Sequence, residues 1–398
     1  MSESKKRITL IPKRKQFNNW SILSKLSYIG FWLTVFSVIY NFFPARSSKV
    51  EDVLLNRYEQ LLDSVSSLKM QNAKLKEGLE RHENSIDDNV KEAIIVVMEN
   101  SDDFFDKGNA HYILGDYYKA KENYKKAAEQ GNKAAQYNLG VMYISDIGIK
   151  QNLDLAFKWF QKSAEQGYAP AQYNLGVMYN DGERVKQNFN LASLWYKRAA
   201  EQGYAAAQCN LGVLYYEGKG VKQNFDLAFK WYKKAAEQKY AIAQFNLGMM
   251  YYEGKGVNQN FDYAVKLLEK ASEQGYADAQ YNLGLMYDEG LGVARNLNLA
   301  LKWYRKAAEQ GHHDSQSNLG LIYYKGEVIE ENLDLAIKWF QKAAEQGNPF
   351  AEYNLGLIYY NGEGVDQDFD IALKWFRKAA EQGNEEAQKT LKIINLIN

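Results

Sequence analysis

The chain has 398 residues with only four prolines, and its one cysteine, Cys209, excludes an intrachain disulfide. Its 49 cations balance 49 anions, but residues 1–25 hold seven of the cations and one anion, which leaves 42 cations and 48 anions elsewhere. This mildly acidic remainder argues against nucleic acid as a partner. The length disfavours a single compact core, whereas an array of repeats has no such limit.

An uncharged segment, residues 26–43, follows the basic tail 1–25 and ends before Pro44. Eighteen helical residues span about 27 Å, close to the roughly 30 Å of a hydrocarbon core, so the segment predicts a single transmembrane helix. A cleaved signal peptide and a buried soluble helix are the alternatives. The cations before the span place the N-terminus in the cytoplasm and the rest of the chain across the membrane, in the periplasm if the organism is bacterial.

Residues 50–98 carry a heptad pattern of apolar side chains. From Leu54 to Leu79 the spacings alternate between four and three residues, and Asn72 occupies a seam position. The pattern predicts a coiled-coil stalk that joins two chains in a parallel homodimer, because a buried asparagine fixes the register of such a pair. A single amphipathic helix lying on the membrane or on the rest of the protein is the alternative.

From residue 101 onward the chain repeats itself. A Leu-Gly dipeptide recurs every 36 residues, with its glycine at positions 140, 176, 212, 248, 284, 320 and 356. Each unit predicts two helices. The first is apolar on more than one face, and Gly140 lets the second helix approach closely. The second helix begins at a cap, Asn152 or Asp154, and ends where Gly167 takes a positive φ.

The turn between the two helices contains a Gly-x-Gly-Val word, as in residues 216–224. Gly218 and Gly220 are predicted to end the first helix. The word is not typical of a phosphate-binding loop, because it follows a helix rather than a strand and lacks a Lys-Ser/Thr ending.

The order Ala-x-Gln-x-Asn-Leu-Gly-x-x-Tyr, Gly-x-Gly-Val and Ala-x-x-Trp-x-x-Lys-Ala-Ala-x-Gln-Gly resembles the Sel-one-like repeat, a branch of the tetratricopeptide superfamily. Seven such units cover residues 132–383, although Lys239 replaces the glycine that ends the other units. Residues 101–131 resemble an ordinary tetratricopeptide unit, and residues 384–398 resemble a capping first helix. The resemblance implies an all-α, right-handed α-solenoid of helix-pair repeats that acts as a scaffold in protein–protein assembly.

No catalytic residue, cofactor site or metal site is predicted. The four histidines, His82, His111, His312 and His313, lack the spacing of a zinc ligand set. Cys209 has no predicted histidine base, which indicates a buried core thiol. The sequence therefore predicts a membrane-anchored adaptor that recruits a protein or peptide. The alternatives are an envelope enzyme or wall-modifying factor, and a purely structural oligomeric spacer.

A partner-binding surface is predicted at the end of the first helices, which line the concave face in tetratricopeptide stacks. Its residues are Tyr216, Glu217, Tyr252, Glu253, Asp288, Glu289, Tyr324 and Tyr360. If exposed, they form an acidic stripe beside aromatic rings, suited to a basic extended segment or helix. The alternative is that the tyrosines pack between helices.

An asparagine also recurs two residues before the glycine of each Leu-Gly dipeptide. Its amide is predicted to bond neighbouring backbone, since a buried polar group needs a partner. A clamp for a bound peptide is the alternative.

Overall fold

The computed structural model describes residues 101–145, 149–182 and 184–397, which contain seventeen helices and no strand. The helices from residue 104 to 201 belong to one compact unit and those from 205 to 397 to a second. The helix pairs confirm the all-α repeat architecture that the sequence predicts.

In the first unit the helices are α1 (Phe104–Ile113), α2 (Tyr117–Glu129), α3 (Lys133–Ser145), α4 (Leu153–Glu165), α5 (Ala169–Asp181) and α6 (Phe189–Glu201). In the second unit they are α7 (Ala205–Glu217), α8 (Phe225–Glu237), α9 (Ala241–Glu253), α10 (Phe261–Glu273), α11 (Ala277–Glu289), α12 (Leu297–Glu309), α13 (His313–Lys325), α14 (Leu333–Glu345), α15 (Pro349–Asn361), α16 (Phe369–Glu381) and α17 (Glu385–Ile397). Odd numbers mark the first helix of a repeat and even numbers the second. The segment 384–398 contains α17.

The predicted tail 1–25, membrane span 26–43 and stalk 50–98 lie outside the described residues and stay predictions. Within the residues that the structure describes, no helix is both long and apolar enough to cross a bilayer. A helix of 13 residues, the longest present in the described ranges, reaches about 20 Å, against the roughly 30 Å that a bilayer core requires.

Each second helix begins at an Asn or Asp cap. The Asn152 side chain accepts the backbone N–H of Leu155 at 3.0 Å, so Asn152 rather than Asp154 caps α4. Equivalent caps are Asn188, Asn224, Asn260, Asn296, Asn332 and Asp368. The helix ends as predicted, because Gly167 has φ 80° and its N–H reaches the carbonyl of Ala164.

Lys239 occupies the left-handed position that ends α8, with φ 62°. A side chain is strained there, whereas glycine is not. We expect Lys239→Gly to raise the free energy of unfolding by about 0.5–1 kcal/mol, measured by urea denaturation. Gly275→Ala is the matched control: it has φ 87° and open space around an added Cβ, so it tests the backbone cost alone and should destabilise by a similar amount. A stability unchanged by both substitutions would contradict the prediction.

In every repeat but the one that contains Gly248, an aromatic ring of the second helix lies against the glycine of the Leu-Gly dipeptide. A Cβ on Gly284 would lie 2.7 Å from two ring carbons of Tyr304, which is fully buried. Gly140 meets Phe160 in the same way, at 2.5 Å. The close helix approach predicted for Gly140 is therefore confirmed.

The two glycines of the Gly-x-Gly turn have different roles. Gly218 has φ 72° and ends α7, as predicted. The prediction that Gly220 also ends the helix is wrong, because Gly220 lies in the turn, three residues beyond Glu217. In later repeats the second glycine contacts the preceding repeat. A Cβ on Gly256 would lie 2.6 Å from the carbonyl oxygen of Phe225, the first residue of α8. The second glycine thus permits close stacking of repeats.

A buried glutamine joins adjacent repeats. Gln280, 3% exposed, donates from Nε2 to the carbonyl of Ser272 at 3.0 Å, and its Oε1 accepts from Gln310 at 2.7 Å. The same position holds Gln136, Gln172, Gln208, Gln244 and Gln316. Glu352 replaces it in the following repeat, where Gln382 still donates to Oε2 at 2.6 Å.

Candidate partner-binding surface

Each first helix of the second unit has one partly exposed face between its fully packed sides. In α7 this face includes Asn210, Val213 and Glu217, whose spacings of three and four residues place them in line. We call the equivalent residues of α7, α9, α11, α13 and α15 the first-helix face. Its asparagine row is Asn210, Asn246, Asn282, Asn318 and Asn354, and its apolar row is Val213, Met249, Leu285, Leu321 and Leu357.

The asparagine row is half-buried and anchored by hydrogen bonds. Asn282 donates from Nδ2 to the carbonyl of Asp278 at 2.7 Å, and Asn354 donates to that of Phe350 at 2.8 Å. The backbone partner predicted for the asparagines is confirmed at these two positions. Asn246 instead donates to the sulfur of Cys209 at 3.6 Å. These bonds fix the orientation of these three amides at the face.

The eight predicted partner-binding residues lie at the C-terminal ends of α7, α9, α11, α13 and α15, next to the turns. Three of their tyrosines, Tyr216, Tyr252 and Tyr360, pack on the phenylalanine that begins the following second helix. The ring centroids of Tyr252 and Phe261 are 5.5 Å apart, and those of Tyr360 and Phe369 are 5.3 Å apart. Tyr360 is 42% exposed, whereas the other three tyrosines are half-buried. The tyrosines therefore combine packing with a partly accessible edge.

Two of these tyrosines bond the next repeat. The Tyr216 hydroxyl donates to Oε2 of Glu253 at 2.5 Å and accepts from Lys255 at 3.0 Å. Burial, followed by the bond to Glu253, raises the pKa of Tyr216 above its usual value. Tyr324 donates to Glu363 at 2.5 Å, and this bond, together with burial, raises the pKa of Tyr324 to about 12. Both phenols stay protonated at neutral pH.

Much of the predicted acidic stripe is paired within the protein. Glu217 lies 2.6 Å from Lys219, and Glu253 lies 2.8 Å from Lys255. Asp288 lies 3.8 Å from the guanidinium of Arg295. Glu289 is exposed. This pairing makes the stripe less negative than its sequence indicates. The pairing cations come from the turns rather than from the first helices.

His312 joins two repeats through a polar chain that the sequence does not reveal. Its Nε2 lies 3.4 Å from Asp278, while its Nδ1 accepts the backbone N–H of Ser315 at 3.2 Å and also contacts the Ser315 hydroxyl. The order Asp–His–Ser matches a hydrolase triad, but Ser315 is fully buried and Nδ1 caps the start of α13. No nucleophile faces solvent at this cluster, so its role is to hold α11 and α13 together.

Cys209 is buried, as predicted for a core thiol, and burial raises its pKa to about 12. It is thus protonated and unreactive at neutral pH. In the described ranges, no three His, Cys, Asp or Glu side chains are placed to hold a metal ion.

A 36-residue frame of helix pairs with small residues at the contacts defines an α-solenoid of the protein-interaction scaffold class. The model of the Sel1 repeat matches eight consecutive segments: 104–132, 133–168, 169–204, 205–240, 241–276, 277–312, 313–348 and 349–384. The chain therefore belongs to the Sel1 repeat family, and the predicted resemblance is confirmed. Residues 104–132 match the same model as the seven segments that follow them.

Two solved structures support this assignment. A protective antigen of uropathogenic Escherichia coli with an SLR fold is 41% identical, with a TM-score of 0.61, and the match covers 67% of this chain and 57% of that chain. A Sel1 repeat protein from Oxalobacter formigenes is 31% identical, with a TM-score of 0.56, and the match covers 82% of this chain and 92% of that chain. Among curated proteins, none matches this chain.

Proposed function

We propose that this protein is an adaptor whose repeats bind an extended segment of a protein partner along the first-helix face. The observation that carries the proposal is the asparagine row beside the apolar row. A side-chain amide has a donor and an acceptor and so complements a peptide group, while the apolar row contacts side chains of the segment. The exposed edge of Tyr360 and the carboxylate of Glu289 extend this face toward the turns.

We also propose that residues 26–43 anchor the protein, with the N-terminus in the cytoplasm and the repeats on the far side of the membrane. The uncharged length of the segment and the seven cations of residues 1–25 support this placement. Residues 50–98 then pair two chains in parallel, which doubles the binding faces at one point on the membrane.

Crosslinking in the native membrane tests the proposal. A photoreactive residue in place of Leu285 should capture one partner, and Asn246→Ala/Asn282→Ala should reduce capture about tenfold, because each removes hydrogen bonds to the bound segment. Asn298→Ala/Gln341→Ala, which changes two exposed amides of the second helices, should leave capture unchanged. Equal capture by both double variants would contradict the site, and a partner confined to the cytoplasm would contradict the proposed orientation.

A further inference from the structure

The second helices of the second unit carry two rows of lysines, spaced four residues apart within each helix. The first row is Lys230, Lys266, Lys302, Lys338 and Lys374, and the second is Lys234, Lys270, Lys306, Lys342 and Lys378. All ten side chains are exposed. We call them the lysine rows. They lie on different helices from the first-helix face, so they form a separate surface.

The lysine rows place like charges side by side. Two cations four residues apart on a helix repel each other and destabilise it. Within the described residues, none of the ten lies within 4.0 Å of a carboxylate, whereas Lys219 and Lys255 of the turns are each paired. The repulsion recurs in the second helices of five successive repeats, and an anionic ligand would relieve it.

Tryptophan rings hold several of these ammonium groups in place. The Lys306 ammonium lies 4.4 Å from the ring centroid of Trp303, and the Lys302 ammonium lies 5.4 Å from the same centroid. Equivalent pairs are Lys234 with Trp231, Lys342 with Trp339 and Lys378 with Trp375. Burial, with Lys302 as a second cause, lowers the pKa of Lys306, and Glu273 only partly opposes this shift. A cation fixed on an indole loses less conformational freedom when it binds an anion.

In four of the five helices the rows are bordered by acidic residues at both ends, which limits the shape of a partner; in α12, Asn298 replaces the first of these acidic residues. In α8, Asp226 lies four residues before Lys230, and Glu237 lies three residues after Lys234. The 12 helical residues from Asp226 to Glu237 span about 16 Å, so the basic strip between the acidic borders is narrow. A membrane surface or a nucleic-acid duplex is wide enough to bring its anions close to the acidic residues at both borders, which would repel them. A single extended chain fits between them, and the tryptophan faces are already covered by lysines, which disfavours base stacking.

We propose that the lysine rows bind an extended acidic polypeptide segment that crosses the second helices. Its carboxylates contact the fixed ammonium groups without the bidentate geometry that arginine gives to phosphate recognition. The protein then has two binding surfaces, one on the first helices for the partner described above and one on the second helices for an acidic segment.

Binding of a fluorescent 20-residue polyglutamate peptide to the full-length chain tests the proposal. The variant with Lys234, Lys270, Lys306, Lys342 and Lys378 all replaced by Gln, which removes four ammonium groups held on tryptophan rings, should bind about tenfold more weakly. The matched control replaces the same number of cations outside the rows, namely Lys219, Lys222, Lys255, Lys325 and Lys389, and should bind within about twofold of the unaltered chain. Raising the salt concentration should weaken binding in the unaltered chain more than in the row variant.

Lysine acetylation of the unaltered chain gives a second readout that needs no substitution. The bound peptide should protect the lysine rows and leave the five control lysines reactive. Equal loss of binding in both variants, or no protection of the rows, would overturn the proposal. So would inorganic polyphosphate or phosphatidylglycerol vesicles that bind through the rows when the peptide does not.

Discussion

Replacing Gly284 by alanine should lower the free energy of unfolding by about 2 kcal/mol, although alanine is the better helix former by about 1 kcal/mol. The added Cβ would lie 2.7 Å from two carbons of the Tyr304 ring, which is fully buried. Either the ring or the first helix must shift. Urea denaturation followed by far-UV circular dichroism measures the effect.

The chain provides its own control at Gly248. In that repeat Leu268 replaces the ring, and a Cβ on Gly248 would meet its nearest neighbours at 3.4 Å, an ordinary contact. Gly248→Ala should therefore leave stability unchanged or raise it by up to about 1 kcal/mol. Gly284→Ala/Tyr304→Leu copies this pairing, so its loss should be smaller than the sum of the two single losses. Additive losses would show that the ring is not the obstacle.

The repeat frame explains how much of this fold is predictable from sequence. A contact that recurs every 36 residues, such as a glycine facing a ring or an asparagine capping a helix, is visible because each unit repeats it. Lys239 was recognisable for the same reason, since it replaces the glycine that ends the second helix in the other repeats. Its positive φ follows from the repeat and not from lysine itself.

Interactions that depend on side-chain direction were not predictable. The charges of Glu217 and Glu253 are offset by Lys219 and Lys255, but the spacing of two residues does not say whether each pair meets across its turn. The role of the second turn glycine is also hidden, because its neighbour, Phe225 in the case of Gly256, lies 31 residues earlier. Contacts of this kind between repeats can be identified only when the stacking geometry of the repeats is known.

Glu352→Gln should stabilise the protein by about 2 kcal/mol at neutral pH, because it restores a buried donor. Glu352 is 2% exposed and stands where Gln316 donates to the carbonyl of Ala308 at 3.1 Å. The corresponding carbonyl in the next repeat belongs to Ala344. An ionised carboxylate has no proton to donate to it, whereas a protonated carboxyl or an amide does.

The stabilisation should depend on pH in a direction set by the pKa of Glu352. Burial raises this pKa above its usual 4.5, the nearby Lys378 and the hydrogen bond from Gln382 lower it, and Glu381 raises it. Because the folded state holds this proton more tightly than the unfolded state, Glu352 favours folding most below about pH 4.5, and this contribution is lost as pH rises through the raised pKa. The advantage of Glu352→Gln should therefore be small in acid and grow toward neutral pH.

Gln316→Glu provides the reciprocal test, since it introduces the same carboxyl one repeat earlier, at a side chain that is 4% exposed. It should destabilise the protein by about 2 kcal/mol at neutral pH and by much less below about pH 4.5. Denaturation midpoints of the unaltered chain, the two single variants and the double variant, measured from acid to neutral pH, give both effects. If Glu352→Gln stabilised the protein equally at every pH, the proton on Glu352 would not govern the contact between α14 and α15. Glutamate and glutamine at this position would then differ only in how they pack.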